Sequence, residues 1–108
     1  MIARVWHGRI RSEDTDAYVR YIESTGLRDY RACHGNRGAL MFVRPHGDEA
    51  EVFTISLWDS IDDIKAFAGD DISKARYYPE DHRYLLEFEE RVRHFDAFGE
   101  TDKLIANS

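Results

Sequence analysis

The order of strand-like and helix-like segments is the feature that most constrains how this chain can fold. Ile2 to Ile10 alternates like a strand, and the segment after it places apolar residues at helical spacing until Gly26. Two further strand candidates, Ala39 to Arg44 and Val52 to Trp58, flank a turn sequence at residues 45–48. The first half therefore predicts strand, helix and hairpin in that order.

The second half predicts a helix followed by a last strand. Ser60 and Asp63 form an acidic capping box, and the helix that they start ends at Gly69. Asp71 to Tyr77 predicts a short further helix, and alternation from Phe88 to Phe98 predicts the last strand. The complete order β-α-β-β-α-β predicts an α+β, ferredoxin-like sandwich. Its antiparallel sheet, in strand order 4-1-3-2, carries both helices on one face.

Charge and composition exclude several classes of partner. The 108 residues include 15 Lys and Arg against 21 Asp and Glu, a net charge of −6, which disfavours binding to nucleic acid or anionic membranes. No apolar run approaches the roughly 20 residues of a membrane span, and no signal-peptide core is visible. With Cys33 as its single cysteine, the chain is expected to be cytoplasmic. We expect one domain, residues 1–98, and a C-terminal tail, residues 99–108.

A sheet with both helices on one face leaves its second face bare. Trp6, Thr54, Ser56 and Trp58 are candidates for that face. Because two exposed indoles are costly in water, they predict a second copy of the chain stacked on the sheet, and hence a homodimer. The alternative is that one or both tryptophans face the helices and fill the core, and for each tryptophan the sequence leaves both arrangements open.

Four segments of the chain carry a resemblance to a known family: Ile2 to Arg9 (IARVWHGR), Ser56 to Ser60 (SLWDS), Lys65 to Asp70 (KAFAGD) and Ala75 to Asp81 (ARYYPED). They resemble the antibiotic biosynthesis monooxygenase (ABM) domain family of dimeric α+β barrels. The likeness extends over residues 1–98. It implies a ferredoxin-like subunit, a barrel of two sheets at the dimer interface, and a pocket between helices and sheet in each subunit.

The resemblance implies two alternative functions. The first is a monooxygenase that needs no cofactor and acts on a phenolic or quinone-like substrate. The second is a catalytically silent dimeric barrel that binds a small hydrophobic ligand or serves as an assembly module. Haem-degrading members carry Asn, Trp and a haem-ligating His where His7, Phe67 and Tyr77 stand in this chain. All three differ, so haem degradation ranks last.

The candidate catalytic residues are two histidines and a tyrosine. In the predicted sheet order, His7 and His94 become neighbours on the helix-facing side, where two imidazoles would accept protons near neutral pH. Tyr77 would donate a hydrogen bond to a substrate oxygen. The alternative is that these side chains are simply hydrogen-bonded parts of the core or its rim.

The candidate substrate-binding residues are expected to line the same pocket. Arg9 would hold an anionic substrate oxygen, unless it is a solvated charge near a strand end. Tyr78 would line the pocket mouth or close the core, and Trp58 resembles the functional Trp of quinone-forming relatives. The full set comprises Trp58, Phe67, Tyr78 and Arg9.

The sequence also sets aside two other kinds of site. Glu80, Asp81 and His82 lack a remote partner for a metal ion and are expected to form a polar loop, so no metal site is predicted. No glycine-rich phosphate-binding pattern is present, and no cofactor is expected. A cavity lined by His7, Tyr77 and His94 would favour chemistry, whereas one plugged by Phe67 and Tyr78 would favour the silent barrel.

Overall fold

The computed structural model describes residues 1–101, and the rest of the expected tail lies outside the described residues. It is an α+β fold, in which helices pack on one face of a five-stranded antiparallel sheet. No helix in this part of the chain is long and apolar enough to cross a membrane. The strands are β1 (Ile2–Arg11), β2 (Asn36–His46), β3 (Glu49–Trp58), β4 (Leu85–Phe88) and β5 (Arg93–Asp96), and the helices are α1 (Thr15–Ile22), α2 (Arg28–Arg31), α3 (Ile61–Ala68) and α4 (Asp81–Tyr84).

The strand order is β2-β3-β1-β4, and β5 pairs with the same edge of β1 as β4. The predicted last strand is therefore divided: Phe88 stands opposite Gly8, and Phe95 stands opposite Ala3. Between the two pieces the chain pairs with residues 73–75 instead. Apart from this division, the predicted order is confirmed, and it is compatible with a ferredoxin-like fold.

The first helical region continues past the residue that was expected to end it. A wider, π-type turn over Glu23–Leu27 joins α1 to α2, so Gly26 does not stop the helix. The continuation buries Leu27 and Tyr30 in the core, and this burial outweighs the cost of about 1 kcal/mol for a helical glycine. Ser12 precedes this helical region and is of a residue type that often caps helices, but its side chain makes no capping hydrogen bond.

The helix after β3 begins as predicted. The Ser60 hydroxyl oxygen accepts a hydrogen bond from the Asp63 backbone N–H at 3.2 Å, which satisfies one of the free donors of α3. Ile64 is fully buried on the face that packs against the sheet. Gly69 follows the helix with a φ of 85°, a conformation that favours glycine.

The expected helix over Asp71 to Tyr77 is absent. Residues 69–80, called the connecting segment here, cross the helix-covered side of the sheet without regular structure. Arg4 on β1 explains this path, because its guanidinium donates hydrogen bonds to the backbone oxygens of Ile72 and Lys74. Because these two carbonyls accept hydrogen bonds from a side chain of the sheet, they do not point along a helix axis as the predicted helix would require.

Both tryptophans face the helices, which corrects the set of residues expected on the bare face. Trp6 is 7% exposed and Trp58 is fully buried, and Thr54 and Ser56 lie on the same side. Each indole N–H finds a partner there: Trp58 donates to the Ser56 hydroxyl, and Trp6 donates to the Tyr77 hydroxyl, both at 2.9 Å. The tryptophans therefore belong to the core.

The helix-free side of the sheet, called the outer face, is nevertheless apolar. The strand registers place its residues on three neighbouring strands and β5. Phe42 and Phe95 remain 49% and 53% exposed. A bare apolar face therefore exists, but aliphatic and phenylalanine side chains carry it. They are Val5, Leu40, Phe42, Phe53, Ile55, Leu57 and Phe95.

Candidate functional site

A small pocket lies between the helices and the sheet, and the connecting segment closes one of its sides. Its free volume is about 40 Å³. Most of its wall is aromatic or aliphatic, with a few polar groups set among the rings. The residues that matter for its chemistry are Trp6, Tyr18, Phe67, Arg76, Tyr77, Tyr78 and Asp81.

Trp6 and Tyr77 form one wall through a chain of hydrogen bonds. Gly8 leaves room for the indole, since a Cβ there would lie 2.6 Å from Cη2 of Trp6. The Trp6 N–H donates to the Tyr77 hydroxyl, which donates its own proton to the backbone oxygen of Glu89. Burial raises the pKa of Tyr77. Tyr77 therefore lines the pocket as predicted, but its hydroxyl already donates its hydrogen bond to a backbone oxygen.

A second wall consists of a cation between two rings. The Cζ atom of Arg76 lies 4.9 Å from the centre of the Phe67 ring and 5.4 Å from the centre of the Tyr78 ring. The Tyr78 hydroxyl donates to the Asp29 carboxylate on α2, and burial together with this bond raises the pKa of Tyr78. Phe67 and Tyr78 therefore line the pocket as predicted, and Arg76, which sequence reasoning missed, joins them.

Asp81 is the buried carboxyl of this pocket. It begins α4 and is 3% exposed, and its Oδ2 atom accepts a hydrogen bond from the Tyr78 backbone N–H at 2.5 Å. Its Oδ1 atom is buried without a hydrogen-bond partner among the described residues. Burial raises the pKa of this carboxyl. The expectation of a polar loop at Asp81 was therefore wrong, because a four-residue helix is too short to show a periodic signal.

The two histidines do not meet, which corrects the predicted pair. His94 stands opposite Arg4 on the helix-facing side, with its Nε2 atom 3.2 Å from the guanidinium. His7 lies three positions further along β1, so alternation turns it to the outer face. There it lies between the carboxylates of Glu89, at 3.3 Å, and Glu51, at 3.6 Å. Neither imidazole lines the pocket.

Two of the predicted substrate-binding residues also lie elsewhere. Arg9 is on the outer face, where it forms ion pairs with Glu49 at 3.0 Å and Glu87 at 2.6 Å. Trp58 is packed behind the pocket, with its ring centre 6.0 Å from that of Phe67. Both placements follow from strand alternation together with the side of the sheet that the helices cover.

The chemistry available in this pocket is the recognition of an aromatic ring and the movement of a proton. Within residues 1–101, no three His, Cys, Asp or Glu side chains lie close enough together to hold a metal ion. The Cys33 thiol donates to the backbone oxygen of Asp29, and burial raises its pKa. Three features of the pocket are therefore available to act on a molecule inside it: the aromatic walls, the Asp81 carboxyl and the Arg76 guanidinium.

His94 is expected to make the folded state sensitive to acid. Burial, and then the nearby Arg4, lower its pKa below the ordinary 6.5. The folded protein therefore binds fewer protons than the unfolded chain just below pH 6.5, and stability falls as the pH drops through that window. Chemical unfolding from pH 7 to pH 5 should show a steeper loss for the wild type than for His94→Gln. Equal slopes for the two proteins would contradict this.

Comparison with known proteins supports the fold alone. No protein-family model matches the chain, and no curated protein matches it. Among solved structures, the chain is similar to Rv0793 from Mycobacterium tuberculosis, with a TM-score of 0.58 and 16% sequence identity. The alignment covers 94% of this chain and 98% of that one. The likeness shows a shared compact α+β fold.

Proposed function

We propose that this chain forms a homodimer of the ABM type and that each subunit binds a phenolic or quinone-like molecule in the pocket between sheet and helices. The observation that carries the proposal is the buried, unpartnered Oδ1 atom of Asp81 in an otherwise aromatic wall. Aromatic walls with a few placed polar groups are typical of sites for small ring compounds. A phenolic hydroxyl matches this combination.

The reaction we propose is monooxygenation without a bound cofactor. One atom of O₂ enters a ring carbon as a carbonyl and the other leaves as water, while the substrate supplies all four electrons. For the probe 1-naphthol, the products are 1,4-naphthoquinone and one water molecule, which balances atoms and electrons. The protein contributes orientation and removal of the hydroxyl proton, which makes the ring electron-rich.

The size of the pocket is the main constraint on this proposal. A cavity of roughly 150 Å³ is known to hold a benzene ring, whereas this pocket has about 40 Å³. Binding therefore requires the wall to open, and the exposed Arg76 side chain is the part with freedom to move. The small volume, together with a wall that contains Phe67 and Tyr78 but neither histidine, favours the second candidate, a silent dimeric barrel. Haem degradation gains no support, because the Tyr77 hydroxyl already accepts a hydrogen bond from Trp6 and donates one to Glu89.

The outer face supports the dimer. Its seven apolar side chains form a continuous surface that water would solvate poorly. Charged residues border it, among them Arg44 paired with Glu51 and Arg93 paired with Glu89. An apolar centre with a polar rim is the usual composition of an interface between subunits. A second copy of the same face provides the matching surface.

The two tryptophans make ligand binding measurable. Trp6 lines the pocket and Trp58 does not, and the chain has no other tryptophan. In ¹H–¹⁵N spectra, 1-naphthol should shift the indole signal of Trp6 and leave that of Trp58 in place.

Ala75 lines the pocket, so the larger side chain of Ala75→Leu should occupy part of its space and weaken binding at least tenfold. Ala66→Leu, on the exposed side of α3, is the control and should leave binding unchanged.

The same samples separate the two candidate functions. Consumption of O₂ with formation of 1,4-naphthoquinone, above the rate without protein, would support the monooxygenase. Binding at Trp6 without turnover would favour a ligand-binding barrel. If neither indole signal moves with 1-naphthol or 1,4-naphthoquinone, the pocket proposal is wrong and an assembly module remains.

A further inference from the structure

We infer that Asp81 is the group that accepts the hydroxyl proton of the molecule bound in this pocket. The inference rests on the proposed function, because it presupposes a phenolic ligand. Its basis is geometric. Asp81 is 3% exposed, its Oδ2 atom is fixed by the Tyr78 backbone N–H, and its Oδ1 atom is left without a partner in the wall of the pocket.

An unpartnered buried carboxylate oxygen is costly to the folded protein. Buried polar atoms are nearly always hydrogen-bonded, so an exception calls for an explanation. The N–H of Tyr78 holds one oxygen and thereby fixes the direction of the other. A ligand hydroxyl would satisfy Oδ1, and the backbone bond would keep the carboxyl positioned for it.

The proton transfer is balanced within the pocket. The O–H bond of the ligand breaks, a bond forms between the proton and Oδ1 of Asp81, and the electron pair stays on the ligand oxygen. No oxidant or reductant is consumed in this step. The resulting phenolate shares the pocket with the Arg76 guanidinium, whose positive charge stabilises it.

The other polar groups near the ring walls are less suited to this role. Tyr77 and Tyr78 already donate their hydroxyl protons to Glu89 and Asp29, and burial raises the pKa of both phenols, so neither becomes an anion near neutral pH. His94 lies against Arg4 instead. Asp81 is the acceptor that remains, because its Oδ1 atom has no hydrogen-bond partner among the described residues and burial raises the pKa of its carboxyl.

The ionisation of Asp81 depends on all the elements packed around it. Tyr18 and Tyr21 face it from α1, Tyr77 faces it from the connecting segment, and His82 follows it in α4. Burial raises the pKa of Asp81, and only His82 among these neighbours favours the anion by its charge. Affinity for a neutral phenol should therefore rise with pH as Asp81 ionises.

The test compares 1-naphthol with 1-methoxynaphthalene, which has the same ring but no hydroxyl proton. Wild type should bind 1-naphthol at least tenfold more tightly than the ether. Asp81→Asn keeps the shape and the bond from Tyr78 but turns an N–H₂ toward the pocket. It should lose this preference and the pH dependence while binding the ether within about twofold of wild type. Asp71→Asn, an exposed carboxylate on the connecting segment, is the control and should retain both.

A second measurement needs no variant. The ¹³C signal of the Asp81 carboxyl in wild type reports its ionisation directly. Saturating 1-naphthol should move the titration midpoint to lower pH, because in the complex that precedes proton transfer the intact ligand hydroxyl donates a hydrogen bond that favours the anion, and the ether should not. Equal midpoints with both compounds, or an unchanged preference in Asp81→Asn, would overturn the role of Asp81 and leave the pocket proposal intact. Failure of wild type to bind 1-naphthol would instead overturn the proposed function, and this inference with it.

Discussion

Ile55→Asp is expected to convert a dimer into a folded monomer. Ile55 lies at the centre of the outer face, between Val5 on β1 and Leu40 on β2. In a monomer the new carboxylate would face water, so the subunit should remain folded. In a symmetric dimer two carboxylates would be buried without partners, which should weaken association by about 4 kcal/mol or more, roughly a thousandfold.

Size-exclusion chromatography coupled to light scattering measures the mass of each protein in solution directly. Wild type at micromolar concentration should have twice the 12.6 kDa mass of one chain, because a stable interface of this kind buries at least about 1,200 Å². Ile55→Asp should elute as a monomer with unchanged far-ultraviolet circular dichroism. Ile61→Asp makes the same change on the exposed start of α3 and should stay dimeric. A wild-type mass of one chain at every concentration would refute the dimer.

The strand order could be predicted from the sequence because it depends on periodicity. Alternation in β1 and β3 and the capping box at Ser60 are local signals, and the structure confirms each of them. The divided last strand was not predictable in the same way. Residues 90–92 leave the sheet to pair with residues 73–75, and no local pattern in either segment indicates this contact.

Which side of the sheet faces the helices could not be read from alternation. The inner face contains the polar residues Arg4, Thr54 and Ser56, whereas the outer face contains Ile55 and Leu57. Each face also contains the other kind of residue, Trp6 and Val52 on the helix-covered face and His7 and Arg9 on the outer face, so polarity alone does not distinguish the two faces. Arg4 can be buried only because carbonyls of the connecting segment, 68 and 70 residues away, accept its hydrogen bonds.

The candidate site was predicted only in part, for the same reason. Phe67, Tyr77 and Tyr78 line the pocket, as the sequence predicts. Asp81 and Arg76 acquire their roles from contacts made by the irregular connecting segment and a four-residue helix. Elements as short as these show no periodic pattern of apolar residues in the sequence.

Arg4→Ala is expected to be the most destabilising single substitution named here. Arg4 is 1% exposed, its guanidinium holds the backbone oxygens of Ile72 and Lys74, and it lies 3.2 Å from His94. Alanine would leave two partly buried carbonyls without these donors and a void beneath the connecting segment. The expected loss is about 3–5 kcal/mol, or roughly 15 °C or more in melting temperature.

Arg9→Ala is the matched control for this loss, since it removes the same side chain from the opposite face of the same strand. Arg9 makes half-exposed ion pairs, so its removal should cost about 1 kcal/mol or less.

Arg4→Met separates the effect of side-chain volume from that of hydrogen bonding, because methionine refills the void but has no hydrogen-bond donors. If the carbonyl bonds matter most, Arg4→Met should remain much closer in stability to Arg4→Ala than to wild type. The indole N–H of Trp6 should also lose hydrogen-exchange protection in both variants, because Tyr77, its acceptor, belongs to the segment that Arg4 holds. Equal stability of the Arg4→Ala and Arg9→Ala proteins would show that the connecting segment, and the pocket wall it carries, is held by its ring contacts instead.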